Sequence, residues 1–497
     1  MATLQPWNIR IAQVGAPVLP PADKVKYPPV LPSRSPHPRW PFENLAFEGG
    51  GAKGIAYVGA AQILEEEGLY PAHVLRVSGT SSGSFLAAML AVGCPASELA
   101  RLLFETDLAA VMRDARWGML SGVVNMVTMF GWNPGERLLQ FLGDRLVERT
   151  GSEDVTFRQV YERCGRELCV PVTNLTRMCT EYCHPKTTPD MPVRLAVGMS
   201  MSLPVLMVPY RLVRPGGGQA DLYTDGGLLC NYPVHAFDGW WLSMDREDTF
   251  LNRLRPLDRA AEKMHDHYRF QPRNPRTLGL TVFDRLELDA SESWLLEAGG
   301  PPPRPDTTLA RSRAASERKL AERLQAREAL DRAGQRLVDA MAAVETSGDG
   351  RVCTDELSKL FDVGPLTRDD ARVLFGTDDP TKILAALDHN GDHTIAYDEL
   401  VKYIDSKNVE LTAHLSMNYT EPRSMTTFVS TVFNTLLMHL RKVTLHPDDR
   451  SRTIPIDTDY VGTADFDLEA GDRAFLLETG RRAARAFLDR VAPGETR

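Results

Sequence analysis

The chain has 497 residues, 43% of them hydrophobic and 25% charged, which is long for one domain and predicts a main domain with a companion or insertion. A net charge of -9 argues against a nucleic-acid binder, which would present a basic face. Seven scattered cysteines argue against a disulfide framework and suit a reducing compartment, and Cys179, Cys183 and His184 have the spacing of neither a zinc knuckle nor a haem attachment.

Residues 1–41 are rich in proline and read as an extended N-terminal extension without the basic start and apolar core of a secretory signal. No eighteen uncharged apolar residues run together, so no membrane-spanning helix is expected, and the chain is placed in the cytoplasm or peripherally on a membrane. "NLAFEGGG" predicts a short buried strand, Leu45 to Phe47, entering a triple-glycine turn. "KGIAYVGAAQILEEEG" predicts a helix with Ile55, Val58, Ile63 and Leu64 on one face and Gly68 as its stop. "HVLRVSG" and "SGSFLAAMLAVG" repeat the order of strand, turn and helix, which is the pattern of an α/β fold with a parallel sheet. Further strands are expected at "LCVPVTNL", "LYTDGG" and "RTLGLTVF". After Leu288 the texture changes: "EAGGPPPRPD" is a linker, and Thr308 to Glu345 reads as a long charged helix. Beyond Tyr403 the α/β texture returns, with an amphipathic helix carrying Phe428, Val432, Leu436 and Leu440 on one face, a strand at "RTIPIDT" and a last helix. The expected organisation is an extension at 1–41, an α/β core at 42–289, a helical insertion at 290–410 and the rest of the α/β domain at 411–497.

Three glycines in a row, Gly49 to Gly51, precede a helix start, where backbone N–H groups favour an anion or a transient oxyanion. Gly79-Thr80-Ser81-Ser82-Gly83 is G-x-S-x-G between a predicted strand and a predicted helix, the context of a nucleophile elbow, although an ordinary Gly/Ser turn has the same text. The glycine run ends 28 residues before Gly79, one helix and one strand away, so both turns should lie at the carboxyl ends of neighbouring parallel strands. Backbone groups of Gly49, Gly50, Gly51 and Ala52 then read as an oxyanion hole beside Ser81. The rival, a phosphate loop, is weaker because "GGGAKG" is neither G-x-G-x-x-G nor a Walker sequence. Asp225 in "LYTDGGLLCNYP" is the clearest acid downstream, while His235, His265 and His267 sit in no recognisable motif.

"EGGGAKG", "GTSSG" and "TDGG", in that order, resemble the three signatures of the patatin-like phospholipases, and the similarity extends over about 43–285 and 420–490. The resemblance implies a Ser–Asp dyad without a catalytic histidine: Ser81 as nucleophile, Asp225 as base, and Gly49 to Gly51 in the oxyanion hole. It implies a lipid acyl hydrolase acting on a phospholipid or other acyl-ester lipid, peripheral to a membrane, with no cofactor needed for catalysis. The same acyl-enzyme would serve a lipid acyltransferase or transacylase, and a catalytically dead calcium-binding scaffold is a third reading.

Inside the insertion, "ETSGDGRVCTDE" reads as a twelve-residue calcium loop with Glu345, Ser347, Asp349, Arg351 and Glu356 at positions 1, 3, 5, 7 and 12. "DHNGDHTIAYDE", 43 residues on, offers Asp388, Asn390, Asp392, Thr394 and Glu399 at the same positions. Val352 and Ile395 occupy position 8 of each, as in an EF-hand pair, so the pattern predicts Ca2+ at these loops and a hydrolase modulated by calcium. Glu345 at position 1 and His393 at position 6 depart from it. The apolar stretch from Arg116 to Trp132, with Trp117, Met126, Met129 and Phe130, is read as core, with lining of an acyl site or membrane contact as the alternatives.

Overall fold

Strand β1 (Asn44–Phe47) is a fully buried apolar run, and each further strand of the main sheet repeats that composition or alternates it. The structure, a computed structural model, describes residues 18–21, 24–27, 30–115, 119–213, 219–287, 294–296, 299–346, 348–406 and 425–492. The described residues fall into two units: those up to 310 together with 425–492 form the larger, and 311–406 the smaller.

In the larger unit helix α1 (Ile55–Glu66) follows β1, and β2 (Arg76–Gly79) leads into helix α2 (Ser82–Ala91). Strands β3 (Gly131–Asn133), β4 (Glu167–Asn174), β5 (Cys179–Cys183), β6 (Val205–Met207), β7 (Tyr210–Leu212), β8 (Asp221–Thr224) and β9 (Thr277–Phe283) come next. The smaller unit contributes β10 (Arg351–Cys353) and β11 (Thr394–Ala396), and β12 (Thr453–Asp457) returns to the main sheet. The eight-stranded sheet has the order β12-β9-β1-β2-β4-β8-β7, with β5 also paired to β4. β12, β9, β1, β2 and β4 are parallel, whereas β5, β8 and β7 pair antiparallel at one side, so the sheet is mixed where sequence pattern predicts parallel strands alone. Part of the difference has a local cause: only the four residues 175–178 join β4 to β5, and so short a connection permits antiparallel pairing only.

The register fixes the functional end. Phe47 pairs with Gly79, so the turns after β1 and β2 leave the sheet side by side, and Thr80 N extends the ladder by donating to Phe47 O at 3.2 Å. Thr224 of β8 pairs with Thr173 of β4, which returns the chain after β8 toward Pro171 and Thr80. Leu45, Phe47, Val77, Leu278, Leu280 and Ile454 are fully buried across these strands. Each such side chain contributes roughly 1.5–3 kcal/mol of burial, so the turns rest on a rigid base.

The helix Met425–Thr444 differs from expectation in its orientation. Phe428, Val432 and Leu436 are exposed at 53%, 43% and 46%, so the apolar stripe faces away from the core. Leu437, Met438 and Arg441 turn inward instead, and Arg441 Nη2 donates to the Glu287 carbonyl at 3.1 Å. A buried guanidinium loses more by forgoing a partner than a half-exposed leucine loses to water, and this sets the rotation.

In the smaller unit the residues from 311 to Val344 of the helix Thr308–Val344 pack Leu337, Met341 and Val344 against Leu357, Leu360 and Ile383. After β10 come two short helices, Thr354–Leu357 and Leu360–Val363, separated at Lys359, whose N–H bonds three residues back to Glu356 O at 3.0 Å. Val352 pairs with Ile395 in the antiparallel β10–β11 ladder, and Gly350 and His393 both take positive φ, 72° and 60°.

Candidate active site

Ser81 stands on the turn between β2 and α2 with φ 52° and ψ -127°, a conformation that costs a non-glycine residue roughly 1–3 kcal/mol. The flanking glycines make the turn possible: a Cβ on Gly79 would collide with the Gly83 carbonyl, and one on Gly83 would lie 2.7 Å from Glu48 O and Phe47 O. Three bonds hold the strain in place. Ser81 N donates to Ser200 Oγ at 3.0 Å, Ser200 Oγ donates to Pro171 O at 2.7 Å, and Thr80 Oγ1 donates to Cys230 O at 2.8 Å. Ser200 lies in "MSMSLP" and carries no motif that would mark it in the sequence.

Asp225 follows β8, is 1% exposed, and receives Gly227 N–H on Oδ1 at 2.7 Å. Oδ2 has no hydrogen-bond partner among the described residues. Burial pushes the carboxyl up to about 7, against the smaller opposing pull of the Gly227 amide and the nearby Ser81 hydroxyl. The hydroxyl is thus close enough to favour the carboxylate, yet no hydrogen bond joins the two in this state, as is usual before substrate tightens a site. Asp225 is therefore a carboxyl whose proton affinity is raised into the neutral range.

The glycine run passes against Ser81, since a Cβ on Gly49 would come within 3.1 Å of Ser81 Cβ. Of the four amides expected there, three are engaged: Gly49 N with Asn231 O at 3.0 Å, Gly50 N with Ser82 Oγ at 3.1 Å, and Ala52 N with Thr463 O at 3.0 Å. Gly51 N, at φ 54°, makes no hydrogen bond among the described residues, and neither does Ser82 N at the start of α2. Ser82, whose text in the sequence marks only the elbow, thus adds an amide beside Gly51. Behind the run, Lys53 Nζ donates to both oxygens of Glu287 at 2.6 Å in a buried pair.

Gly51, Ser81 and Ser82 open onto a cleft walled by Ile55, Phe85, Leu108, Leu138, Phe141 and Leu203. Its apolar walls suit an acyl chain. In the stretch from Met119 to Trp132, Val124, Val127 and Phe130 are exposed, and the ring of Trp132 packs on Gly122. Arg116 and Trp117 of that stretch lie outside the described residues. His235 is bonded through Nε2 to Tyr182 OH at 2.8 Å and packs edge-on to Phe270, and its ring is held neutral by burial. His265 and His267 stack on each other away from the cleft.

In the two acidic loops the carboxylates accept amides of their own loop. Glu356 accepts from Thr346 N and Cys353 N, Asp388 from Gly391 N and His393 N, and Glu399 from His389 N and Ala396 N. Arg351, expected to offer a carbonyl, places its guanidinium 2.9 Å from Asp392 and 3.2 Å from Thr394 Oγ1. Asn390 donates to Asp392 at 3.1 Å, Gly348 N bonds Glu345, and Asp349 accepts Arg351 N; Ser347 lies outside the described residues. Among the described residues no three His, Cys, Asp or Glu side chains converge on a point that could hold a metal. Nor is any helix among the described residues long and apolar enough to cross a membrane.

A model of the patatin-like phospholipase family matches residues 45–238. The chain is 30% identical over 233 residues to the uncharacterized protein YqhO of Bacillus subtilis (strain 168), covering 45% of this chain and 75% of that one. It is 32% identical over 197 residues to an uncharacterized protein of Acanthamoeba polyphaga mimivirus, covering 40% of this chain and 62% of the other. A protein of Invertebrate iridescent virus 6 named "Probable lipid hydrolase" is 24% identical over 197 residues, with 39% of this chain and 62% of that protein covered. The two viral relatives are thus matched over less than two thirds of their own length.

Proposed function

The chain belongs to the patatin-like phospholipase family, and on that premise we propose that it is a lipid acyl hydrolase of the phospholipase A or lysophospholipase type, with Ser81 as nucleophile and Asp225 as base. The observation that carries the reading is the unused Oδ2 of Asp225 beside the strained Ser81, at the mouth of an apolar cleft. Asp225 Oδ2 takes the Ser81 proton as Oγ attacks the ester carbonyl carbon. The oxyanion that forms is met by the free amides of Gly51 and Ser82, each such donor contributing about 3 kcal/mol to the transition state. The tetrahedral species collapses, Asp225 returns the proton to the departing alcohol, and the acyl group stays on Ser81. Asp225 then activates water, which releases the fatty acid and restores the hydroxyl. Every step uses groups of this chain and water.

The substrate on this reading is a phospholipid or another acyl-ester lipid reached at a membrane surface. The smaller unit resembles an EF-hand pair in its helix–loop–helix order and its Val352–Ile395 pairing, and we place its role outside the chemistry. No step is routed through calcium.

The test is to incubate the purified chain with mixed phospholipids, lysophospholipids and triacylglycerol, with product identification by mass spectrometry, beside labelling by a fluorophosphonate. Release of free fatty acid, with label on Ser81 that Ser81→Ala abolishes, is the expected result. Acyl groups appearing on a lipid alcohol would make the chain a transacylase, and label persisting in Ser81→Ala would place the nucleophile elsewhere.

A further inference from the structure

Asn231 lies six residues beyond Asp225, is buried, and touches both halves of the site at once. Its side-chain Nδ2 donates to the Gly49 carbonyl at 3.2 Å and to Glu48 Oε1 at 3.2 Å. Its backbone oxygen accepts Gly49 N–H at 3.0 Å, so both polar groups of Gly49 end on this one residue. Its Oδ1 is wedged where a Cβ on Gly49 would collide with it and a Cβ on Gly227 would lie 2.8 Å away. Gly227 is the residue whose amide holds Asp225 Oδ1. Glu48, the other end of the clamp, is itself fixed: Oε2 bonds Thr281 Oγ1 and accepts Val282 N at 3.3 Å, and its backbone N–H donates to Leu280 O at 3.0 Å.

A peptide plane has two soft rotations, and a run of glycines leaves them nearly unrestrained. With Gly49 N and Gly49 O both bonded to Asn231, neither of the two peptide planes that meet at Gly49 can turn, and the Gly51 amide lies in the plane directly after them. We infer that Asn231 is a positioning residue for the acyl transfer, aligning the Gly49–Gly51 amides with the turn that carries Asp225. It touches neither substrate nor reacting atoms; it acts through Gly49 and Gly227. The inference rests on the hydrolase reading of Ser81 and Asp225.

The test uses the full-length chain and three variants: Asn231→Ala, Asn231→Ser, which keeps a smaller donor, and Asn231→Asp, which keeps the shape without the amide donor. Each is checked for folding by thermal melt, then assayed for kcat and KM on a soluble acyl ester and for the second-order rate of fluorophosphonate labelling of Ser81. Misplacing an oxyanion donor lowers kcat and leaves ground-state binding, so kcat and labelling rate should fall about ten- to hundredfold in Asn231→Ala and Asn231→Asp, with KM within about twofold. Asn231→Ser should recover part of the loss. Folded variants that keep wild-type kcat and labelling rate would overturn the inference while wild-type labelling at Ser81 leaves the hydrolase reading standing. Loss of the folded state in all three would overturn it too, in favour of a purely structural role. A wild-type chain that neither hydrolyses the ester nor labels at Ser81 would instead remove the hydrolase reading on which it rests.

Discussion

Asp225 receives Gly227 N–H on Oδ1 at 2.7 Å and leaves Oδ2 without a hydrogen bond, in a setting where burial raises the carboxyl to about 7. A base with that proton affinity is half charged at neutral pH. The acidic limb of kcat/KM should therefore rise through a midpoint near pH 7, within about one unit, on a soluble ester whose own ionisation is silent. A profile flat from pH 5 to 8, or a limb near the ordinary carboxylate value of 3.8, would remove Asp225 as the base.

The same shift sets a pH dependence of stability. The folded state holds the Asp225 proton more tightly than the unfolded chain, so the native state loses stability as pH rises from about 4 to about 7, and the loss is constant above that. At about 1.4 kcal/mol per unit the cost is on the order of 4 kcal/mol. Asp225→Asn keeps an oxygen for Gly227 N–H and carries no charge. It should abolish hydrolysis while raising stability in urea at pH 8, with the gain shrinking toward zero near pH 4. Equal stability of the two proteins at pH 8 would contradict the assignment of a buried, charge-penalised carboxyl.

His235 bonds Tyr182 and packs on Phe270, in a cluster that walls no part of the cleft. His235→Ala should cost roughly 1–3 kcal/mol of stability through lost packing, yet keep kcat within about threefold of wild type. A loss of activity as deep as that of Asp225→Asn would call for a Ser–His–Asp arrangement.

Leu138 and Phe141 stand on the cleft wall, where Phe141 stacks on Phe85 at 5.7 Å between ring centres. Leu138→Trp should shorten the space for an acyl chain at a packing cost of about 1–3 kcal/mol. Its kcat/KM for a dodecanoyl ester should drop at least about tenfold relative to that for an acetyl ester. Parallel losses for both chain lengths would show that the acyl chain lies elsewhere.

Asp388 and Glu399 are bound to amides of their own loop in the smaller unit. Removing both, in Asp388→Ala with Glu399→Ala, should leave the rate of Ser81 labelling by a soluble fluorophosphonate within about twofold of wild type, with or without added calcium. A tenfold fall would bring the smaller unit into the chemistry.

Much of the site was legible as text because its parts are local. A glycine run before a helix, G-x-S-x-G between strand and helix, and D-G-G after a strand each describe a backbone conformation that neighbouring residues alone determine. The order of strands and helices was readable for the same reason, since apolar runs of four to eight residues mark buried strands wherever they fall. What the chain as text left open are relations between distant residues. The pairing of Phe47 with Gly79 and of Thr173 with Thr224 brings the three turns together, and no local pattern encodes those registers. Which amides remain free was likewise decided by remote partners: Thr463 takes Ala52 N–H, Asn231 takes Gly49 N–H, and Gly51 is left. The helix Met425–Thr444 turned its apolar stripe outward because Arg441 had to reach the Glu287 carbonyl. The acidic loops read as a calcium pair by spacing, yet in three dimensions Arg351 sits on Asp392, and a charge from the other loop is what spacing within one loop cannot show. The raised proton affinity of Asp225 belongs to the tertiary structure alone, because desolvation comes from everything packed around a group rather than from its neighbours in the chain.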